Sequence, residues 1–488
     1  MRVAYQAGVV RALAESGLAF GHADGTSGGT MNLAMLLSGL SPTEMCDRWR
    51  TLNVKDFAGL MPLEEYLKAL DMMALGSADG LVEKVFPHLG IDVAAINAAT
   101  GIAGTFNVCN YSRKTNEAIP HERVDLDLLV AGVSLPIFMP PVPKGEYLYV
   151  DSVWIKDANL MEAVRRGADE LWLVWCIGNS PEYKRGMFHQ YVHMIELSAN
   201  GGLFQEFDRI NDINDRIRNG ERPGGRTRPI TLHVIKPAYP LPLDPDFYFG
   251  RIDAATLIAM GYADAKEYLR QMTSDGLPFE PEVTQMKVGG LGLAFRETLV
   301  GSFAFGEVEP RIGAQKGQAA GMTFALDVAV TIDDLKRFLS DPSHTGRLTA
   351  HIGFDGTGEK IPATRGTFNL FSAADRPGQR VIAYELGFER DGQDYYLAAK
   401  KEIENNPGFD LWTDSTTLFA QLHQGADKTG PVVGAGIAKL GVAELVKTIS
   451  SMHATNALSA MEAGGAVVDF GRLFLGELWA TYGRKSDA

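Results

Sequence analysis

The chain has 488 residues, of which 45% are hydrophobic and 22% are charged, proportions that are typical of globular proteins with buried cores. Its length predicts two domains, and its formal net charge of −14 argues against nucleic acid as a partner and against purely electrostatic adsorption to anionic lipid. The three cysteines form no disulfide or metal motif, so we expect a cytoplasmic protein. Because the net charge is negative, any peripheral contact with a membrane is expected to use apolar surface near the cleft.

The first predicted elements are two helices on either side of a glycine-rich turn. Apolar residues at three- and four-residue spacing predict a helix over 7–17 and another over 31–40. The turn at 24–32 places Ser27 in a Gly-x-Ser-x-Gly frame, in which a strand can turn sharply into a helix and expose the serine. Unpaired N–H groups at the start of the second helix would favour a developing oxyanion. Ser27 is therefore the candidate nucleophile; the alternative is an ordinary residue of a glycine-rich turn.

The glycines of this turn have a predicted role of their own. Gly25 and Gly29 flank the serine at positions where a Cβ would clash as the backbone doubles back. We assign them, together with Gly28, to the substrate-binding turn. Asp24 is predicted to be a turn residue rather than a catalyst.

A second candidate side chain follows a predicted strand over 147–151. The strand runs directly into Asp151, and a helix is predicted from 159 onward. A carboxylate at the exit of a strand in an open α/β sheet lies at the edge where such folds build active sites. None of the ten histidines has a context that singles it out. A Ser-Asp pair is therefore preferred, while a Ser-His-Asp triad stays open, as does a helix N-cap role for Asp151.

Several linked motifs in the first 275 residues resemble the patatin-like phospholipase family. The turn around Ser27 matches the family's nucleophile motif, and Asp151 matches the aspartate of its Asp-Gly motif. Further stretches that follow the family pattern are 130–142, 165–174 and 258–265.

The resemblance implies a three-layer α/β/α domain with a mainly parallel sheet and a Ser27–Asp151 catalytic dyad. In such a dyad the aspartate accepts the serine proton, and the serine forms an acyl-enzyme that water hydrolyses. The implied activity is that of a lipid acyl hydrolase, which cleaves carboxylic esters of lipids without a metal or other cofactor.

Two departures from the family pattern affect these expectations. Ser152 stands where the family has a glycine after the aspartate. The family also carries a Gly-Gly-Gly-x-Arg-Gly loop that supplies oxyanion N–H groups, and Arg2 aligns with the arginine of that loop. We therefore expect the natural protein to begin upstream of Met1 and the chain as given to be weakly active. The missing glycines leave a non-catalytic lipid-binding protein as a further alternative.

The pattern changes after a predicted linker at 274–290. We expect an acyl hydrolase domain over 1–275, in which the polar, helical segment 183–228 forms a cap or peripheral excursion, and a β-rich accessory domain of α+β or barrel-like type over 290–488. In the second domain, strands are predicted at 324–332, 347–354, 366–371, 380–389, 394–403 and 416–423, and helices at 437–452 and 470–482.

Overall fold

The computed structural model describes residues 2–57, 73–354, 360–373, 380–403 and 416–482, so that Met1 lies outside the described residues. The chain divides into two compact units. Unit 1 comprises residues 1–249 and 253–288, and unit 2 comprises residues 250–252 and 289–488.

Several helices of unit 1 are preceded by a residue whose side chain accepts hydrogen bonds from N–H groups of the first turn. Ser41 and Glu44 form a capping box, and the side chains of Asp92, Asp125 and Asp253 each accept backbone hydrogen bonds at the start of a helix. The helices are α1 (Ala4–Glu15), α2 (Gly28–Leu37), α3 (Pro42–Thr51), α4 (Phe86–Leu89), α5 (Val93–Ala98), α6 (Leu126–Ala131), α7 (Leu160–Arg165), α8 (Met187–Arg218), α9 (Asp244–Tyr248) and α10 (Ala254–Gln271).

The strands of unit 1 that the structure describes form two sheets, each with a parallel pair. The strands are β1 (His22–Gly25), β2 (Ala103–Asn110), β3 (Thr115–Pro120), β4 (Val142–Lys144), β5 (Tyr147–Asp151), β6 (Glu170–Val174) and β7 (Thr231–Ile235). β1 is parallel to β2, and β6 is parallel to β7. β2–β3 and β4–β5 are antiparallel hairpins, because connections of a few residues leave no room for a crossover. The expected α/β class is confirmed for this unit.

The long helix α8 occupies the segment that was expected to be a cap or peripheral excursion. One face of α8 is buried in a core formed with β6, β7 and α7. Its buried apolar side chains recur at helical spacing and are Tyr191, Ile195, Ala199, Leu203, Phe207 and Ile210. Polar residues of the exposed face dominate the sequence of this segment, so the sequence pattern did not indicate that the other face of α8 is buried. α8 is therefore a part of the core that covers one face of the sheet.

Unit 2 is built on an antiparallel barrel. Its strands are β8 (Gly292–Phe305), β9 (Thr323–Ile332), β10 (Thr345–Phe354), β11 (Ile361–Pro362), β12 (Arg365–Ala373), β13 (Arg380–Arg390), β14 (Gln393–Ile403), β15 (Thr417–Gln424), β16 (Val432–Lys439) and β17 (His453–Thr455). The order β8-β9-β10-β12-β13-β14-β15-β16 returns to β8, so the main sheet closes on itself. The β-rich, barrel-like second domain expected from the sequence is confirmed.

Within the described ranges, the helices that accompany the barrel are α11 (Pro310–Ala319), α12 (Leu335–Ser340), α13 (Val442–Ser451) and α14 (Ala460–Tyr482). The helix predicted over 437–452 starts only at Val442, because residues 437–439 belong to β16 and pair with β15 and β8. No helix within the described ranges combines the length and the apolar character that crossing a bilayer requires.

Most of the buried side chains of the barrel are apolar, and a charged cluster lies among them. Phe303, Phe324 and Phe354 pack together with ring centroids 5.1–5.6 Å apart. Elsewhere in the interior, Lys401 Nζ lies 3.1 Å from Glu297 Oε2, which also accepts a 2.7 Å hydrogen bond from the Tyr384 hydroxyl. The pair is nearly buried, with the Lys401 side chain 3% exposed and that of Glu297 10% exposed.

Candidate active site

Ser27 occupies a strained turn between β1 and α2. Its φ and ψ angles are 51° and −129°, a region that residues with a Cβ rarely adopt. Such a conformation typically costs about 1–3 kcal/mol and persists only where the surrounding structure enforces it. Ser27 is the N-cap of α2, but its side chain makes no capping hydrogen bond. The hydroxyl is therefore held at the helix N-terminus without being used to stabilise the helix.

Two glycines of the turn are required sterically. A Cβ on Gly28 would lie 2.0 Å from Val3 Cγ1, and one on Gly25 would lie 2.9 Å from the Gly29 carbonyl oxygen. A Cβ on Gly29, by contrast, would meet only the end of the Gln6 side chain, at 3.8 Å. Close packing of the chain around the serine therefore requires glycine at 25 and 28, but not at 29.

The same turn offers a free backbone donor. The Gly29 N–H is bonded to the Thr26 carbonyl at 2.8 Å, and the Thr30 N–H to the Ser27 carbonyl at 2.9 Å. The Gly28 N–H has no acceptor among the residues that the structure describes. It lies at the positive end of the α2 dipole, where negative charge is favoured.

The register of the sheet brings Ser27 and Asp151 together. β1 runs along the first half of β2 and ends with Gly25 opposite Phe106. β5 runs in the opposite direction along the second half of β2 and ends with Asp151 opposite Val108. β3 pairs with residues 105–110 of β2, so β1 and β5 share the other edge. Their C-terminal ends therefore meet head to head, about 7 Å apart along β2.

Asp151 is completely buried, with an exposed fraction of 0%. Its Oδ1 accepts a 2.9 Å hydrogen bond from the Val153 N–H. Burial raises the pKa of its carboxyl to about 7, against smaller lowering effects of the Val153 N–H and of the Ser27 hydroxyl. Oδ2 has no partner with hydrogen-bond geometry in the described structure, although the Ser27 hydroxyl is close enough to lower the pKa of the carboxyl. One oxygen of the Asp151 carboxyl is therefore held by a hydrogen bond, and the other can accept a proton.

Two further carboxyls, both partly buried, lie beside this pair. Asp24 accepts hydrogen bonds from the Thr105 hydroxyl and the Asn107 amide, and burial raises its pKa to about 7. Burial, and then the charges of Asp151 and Asp24, raise the pKa of Asp157 to about 8, against the opposing effect of the Arg2 guanidinium. Neither residue was predicted as a site residue from the sequence. The available signal was that Asp157 follows Asp151 by six residues and, like it, precedes a helix.

Ser27 lines a cavity of about 1700 Å³ in unit 1. Asp157 also lines this cavity, whereas Asp151 lies behind the serine and does not. Much of the lining is apolar, with Leu33, Leu36, Leu135, Phe138, Tyr191 and Ile195 among the lining residues. His22 is the one histidine that lines the cavity in the described structure, and its Nε2 is 3.0 Å from the Thr105 hydroxyl rather than at the serine. The described residues contain no group of His, Cys, Asp or Glu side chains suited to a metal ion.

Unit 1 is thus an α/β domain that presents a serine on a strained strand-to-helix turn, next to a buried carboxyl. Residues 1–164 match the family model for patatin-like phospholipases, so this part of the chain is similar to that family, as the motifs predict. This family indicates a lipid acyl hydrolase that acts on lipid substrates. No curated protein matches the chain.

Proposed function

We propose that unit 1 is a lipid acyl hydrolase in which Ser27 attacks the ester carbonyl and Asp151 accepts the serine proton. The observation that supports this proposal is the meeting of the two side chains at the ends of β1 and β5, with a free Asp151 oxygen and a hydroxyl that caps no helix. The attack would give a tetrahedral intermediate, and its bond to the leaving alkoxide would break as protonated Asp151 gives the proton to that oxygen, which leaves an acyl-Ser27 ester and a free alcohol. Water, deprotonated by Asp151, would then release the fatty acid.

The raised pKa of Asp151 supports its role as the base. A carboxylate of ordinary pKa is a weak base towards a hydroxyl, and a pKa of about 7 improves the match at neutral pH. The Gly28 N–H, at the start of α2, is the donor that we assign to the oxyanion. A single donor provides less stabilisation than a pair, so we expect slow turnover.

The apolar lining of the cavity supports an acyl chain as the part of the substrate that enters it. Leu36, Leu135 and Phe138 would remove the chain from water, at about 25 cal/mol per Å² of buried apolar surface. Entry of the chain would also exclude water from the dyad and keep Asp151 desolvated. We therefore propose esters of long-chain fatty acids as the substrate class.

A fluorophosphonate probe tests the nucleophile directly, because it phosphonylates an activated serine. We expect labelling of the native protein and none of Ser27→Ala. Asp151→Asn should retain the fold but lose at least a hundredfold in hydrolysis of a p-nitrophenyl ester of a medium-chain fatty acid.

The alternatives give different results in the same experiment. A Ser-His-Asp hydrolase would keep its activity in Asp151→Ala and lose it in His22→Ala or another histidine variant. A non-catalytic lipid-binding protein would bind the fatty acid but show no labelling of Ser27 at any probe concentration. Either result would refute the Ser27–Asp151 dyad.

A further inference from the structure

A series of hydrogen-bonded polar side chains links the residue before Ser27 to the residue after Asp151. Its members are Thr26 after β1, Asn107 in β2, Asn116 in β3 and Ser152 after β5. Because the side chains of Ser27 and Asp151 also meet, the series closes into a ring that contains both members of the dyad.

Asn107 is completely buried and uses all of its hydrogen-bonding positions. Its Nδ2 donates to the Thr26 hydroxyl at 3.0 Å and to Asp24 Oδ1. Its Oδ1 accepts from the amides of Asn116 and Asn159, at 3.1 Å and 3.0 Å. A side-chain amide offers two donors and two acceptor positions, so the four partners fix its orientation. A reversed amide would turn its oxygen towards Asp24 and its N–H groups towards two other donors.

The register of the strands explains why Asn107 reaches the nucleophile turn. β1 pairs with β2 as far as Gly25 opposite Phe106, so the next residue, Thr26, comes beside Asn107. Asn116 of β3 pairs with the residue two positions beyond Asn107 on β2. Residues two apart in a strand share a face, so the three polar side chains lie on the same face of the sheet.

Ser152 completes the link next to the acid. Its Oγ donates to Asn116 Oδ1, and the Lys156 carbonyl is a more distant acceptor at 3.2 Å. Ser152 is completely buried and begins the 3₁₀ turn Ser152–Trp154, a right-handed conformation that serine adopts without strain. The patatin-like pattern has a glycine at this position, and glycine has no hydroxyl. The bond to Asn116 is therefore something that the serine adds to the family pattern.

The contact between Ser27 and Asp151 does not by itself hold the pair in place. Asp151 Oδ2 has no partner with hydrogen-bond geometry in the described structure. Ser27 has a strained φ of 51°, which persists only where neighbouring groups enforce it. A reacting pair must nevertheless keep its atoms within about 3–3.5 Å and aligned. The geometry of the dyad therefore depends on the residues that adjoin it.

We propose that Asn107, Asn116 and Ser152 are positioning residues that hold Ser27 and Asp151 in reacting geometry. Asn107 fixes the residue before the nucleophile, Ser152 is the residue after the acid, and Asn116 joins the two. None of the three is among the residues that line the cavity in the described structure, so they act on the chemical step rather than on binding of the acyl chain. The inference rests on the proposed function, because it concerns the reaction of that pair.

Ser152→Ala tests the proposal, since it removes the hydroxyl with little change in volume. We expect kcat for a p-nitrophenyl ester of a medium-chain fatty acid to fall about tenfold while KM stays within twofold. The rate of fluorophosphonate labelling of Ser27 should fall by the same factor. Ser152→Gly restores the residue of the family pattern and should lose at least as much.

The matched control removes a serine hydroxyl elsewhere in unit 1. Ser38 follows α2, and its Oγ accepts a 2.9 Å hydrogen bond from the Asp92 N–H. Ser38→Ala deprives that N–H of its acceptor without touching the positioning residues, so kcat should stay within twofold of the native value. Equal losses of kcat in Ser38→Ala and Ser152→Ala would show that general stability controls the rate, and would overturn the proposal.

A double-mutant cycle tests whether Ser152 acts through Asn116. If it does, Ser152→Ala adds nothing once the acceptor is absent, so the double variant should be no slower than Asn116→Ala alone. Independent effects would instead multiply, and the double variant would be about tenfold slower than Asn116→Ala. A multiplicative loss would refute the link between the two residues.

The pH profile separates positioning from a change in the burial of Asp151. A positioning role lowers the plateau of kcat/KM in Ser152→Ala and leaves its acid limb where the native protein has it. An acid limb that moves to lower pH would mean that water reaches Asp151, and would overturn the positioning role.

Labelling of the native protein distinguishes failure of this inference from failure of the proposed function. If Ser27 of the native protein is labelled and kcat is unchanged in Ser152→Ala, the inference is refuted while the dyad stands. If the native protein is not labelled at Ser27, the proposed function is refuted, and this inference with it.

Discussion

Acidification should inactivate the proposed hydrolase well above the pH at which an ordinary aspartate is protonated. Asp151 can accept the Ser27 proton only as a carboxylate, and burial holds its pKa at about 7 instead of 3.8. This difference corresponds to about 4 kcal/mol in favour of the neutral acid. Below pH 7, kcat/KM should therefore fall about tenfold per pH unit.

The size of the effect follows from the fraction of Asp151 that is ionised. With a pKa of about 7, about 1% is carboxylate at pH 5, so kcat/KM should be roughly a hundredfold below its plateau at pH 9. Asp157, with a pKa of about 8, titrates in the same range and interacts with Asp151, so the profile belongs to the pair. Asp157→Asn should shift the acid limb to lower pH, because one neighbouring negative charge is removed.

The assay is hydrolysis of a soluble fatty acid ester between pH 4.5 and 9.5, with released acid quantified after quenching and Ser27→Ala as the background. Protonation of Asp24, Asp151 or Asp157 does not destabilise the fold, so acid unfolding through these groups does not explain a loss of activity at low pH. Their raised pKa values mean that the native state binds more protons than the unfolded state, so these groups favour folding at low pH and lose that contribution as pH rises through 7–8. A flat profile down to pH 5 would refute the role of Asp151 as a buried base.

Three further predictions concern stability, measured by urea denaturation. Ser27→Gly should raise the free energy of unfolding by about 1 kcal/mol relative to Ser27→Ala, because glycine adopts a φ of 51° without strain; equal stability of the two variants would argue against strain at the turn. Asp157→Asn should be more stable than the native protein at pH 9, by on the order of 2 kcal/mol, and equally stable at pH 4; a pH-independent difference would contradict a raised pKa. In the barrel, Lys401→Met should cost about 3–5 kcal/mol by leaving Glu297 buried without its cation, and adding Glu297→Leu should recover most of that loss; a double variant as unstable as the single one would show that packing, not charge, dominates.

The sequence by itself determined the local elements of unit 1. Helical spacing of apolar residues predicted helices over 7–17 and 31–40, and the structure has them at Ala4–Glu15 and Gly28–Leu37. The glycines around Ser27 predicted a turn that excludes a Cβ, and positions 25 and 28 have that property, whereas Gly29 does not. These features depend on backbone sterics between near neighbours, which the sequence carries directly.

The second unit shows where the sequence pattern fails. β8 was not predicted, because its inward positions include Glu297 and Gly301 among Leu293, Phe295, Leu299 and Phe303, which breaks the alternation of apolar residues. Glu297 is stabilised in the interior because Lys401 of β14 neutralises its charge and the Tyr384 hydroxyl of β13 donates a hydrogen bond to its carboxylate. Partners separated by 87 and 104 residues in the chain leave no local signal.

Tertiary structure alone decided the electrostatics of the site. The pKa values of Asp24, Asp151 and Asp157 are raised mainly by burial, which depends on side chains brought over them from distant elements. The meeting of Ser27 and Asp151 depends on which strands pair with β2, and strand pairing is set by long-range contacts rather than by the composition of either strand. The residue types at the site could therefore be read from the sequence, whereas their protonation and their meeting arise only when the chain is folded.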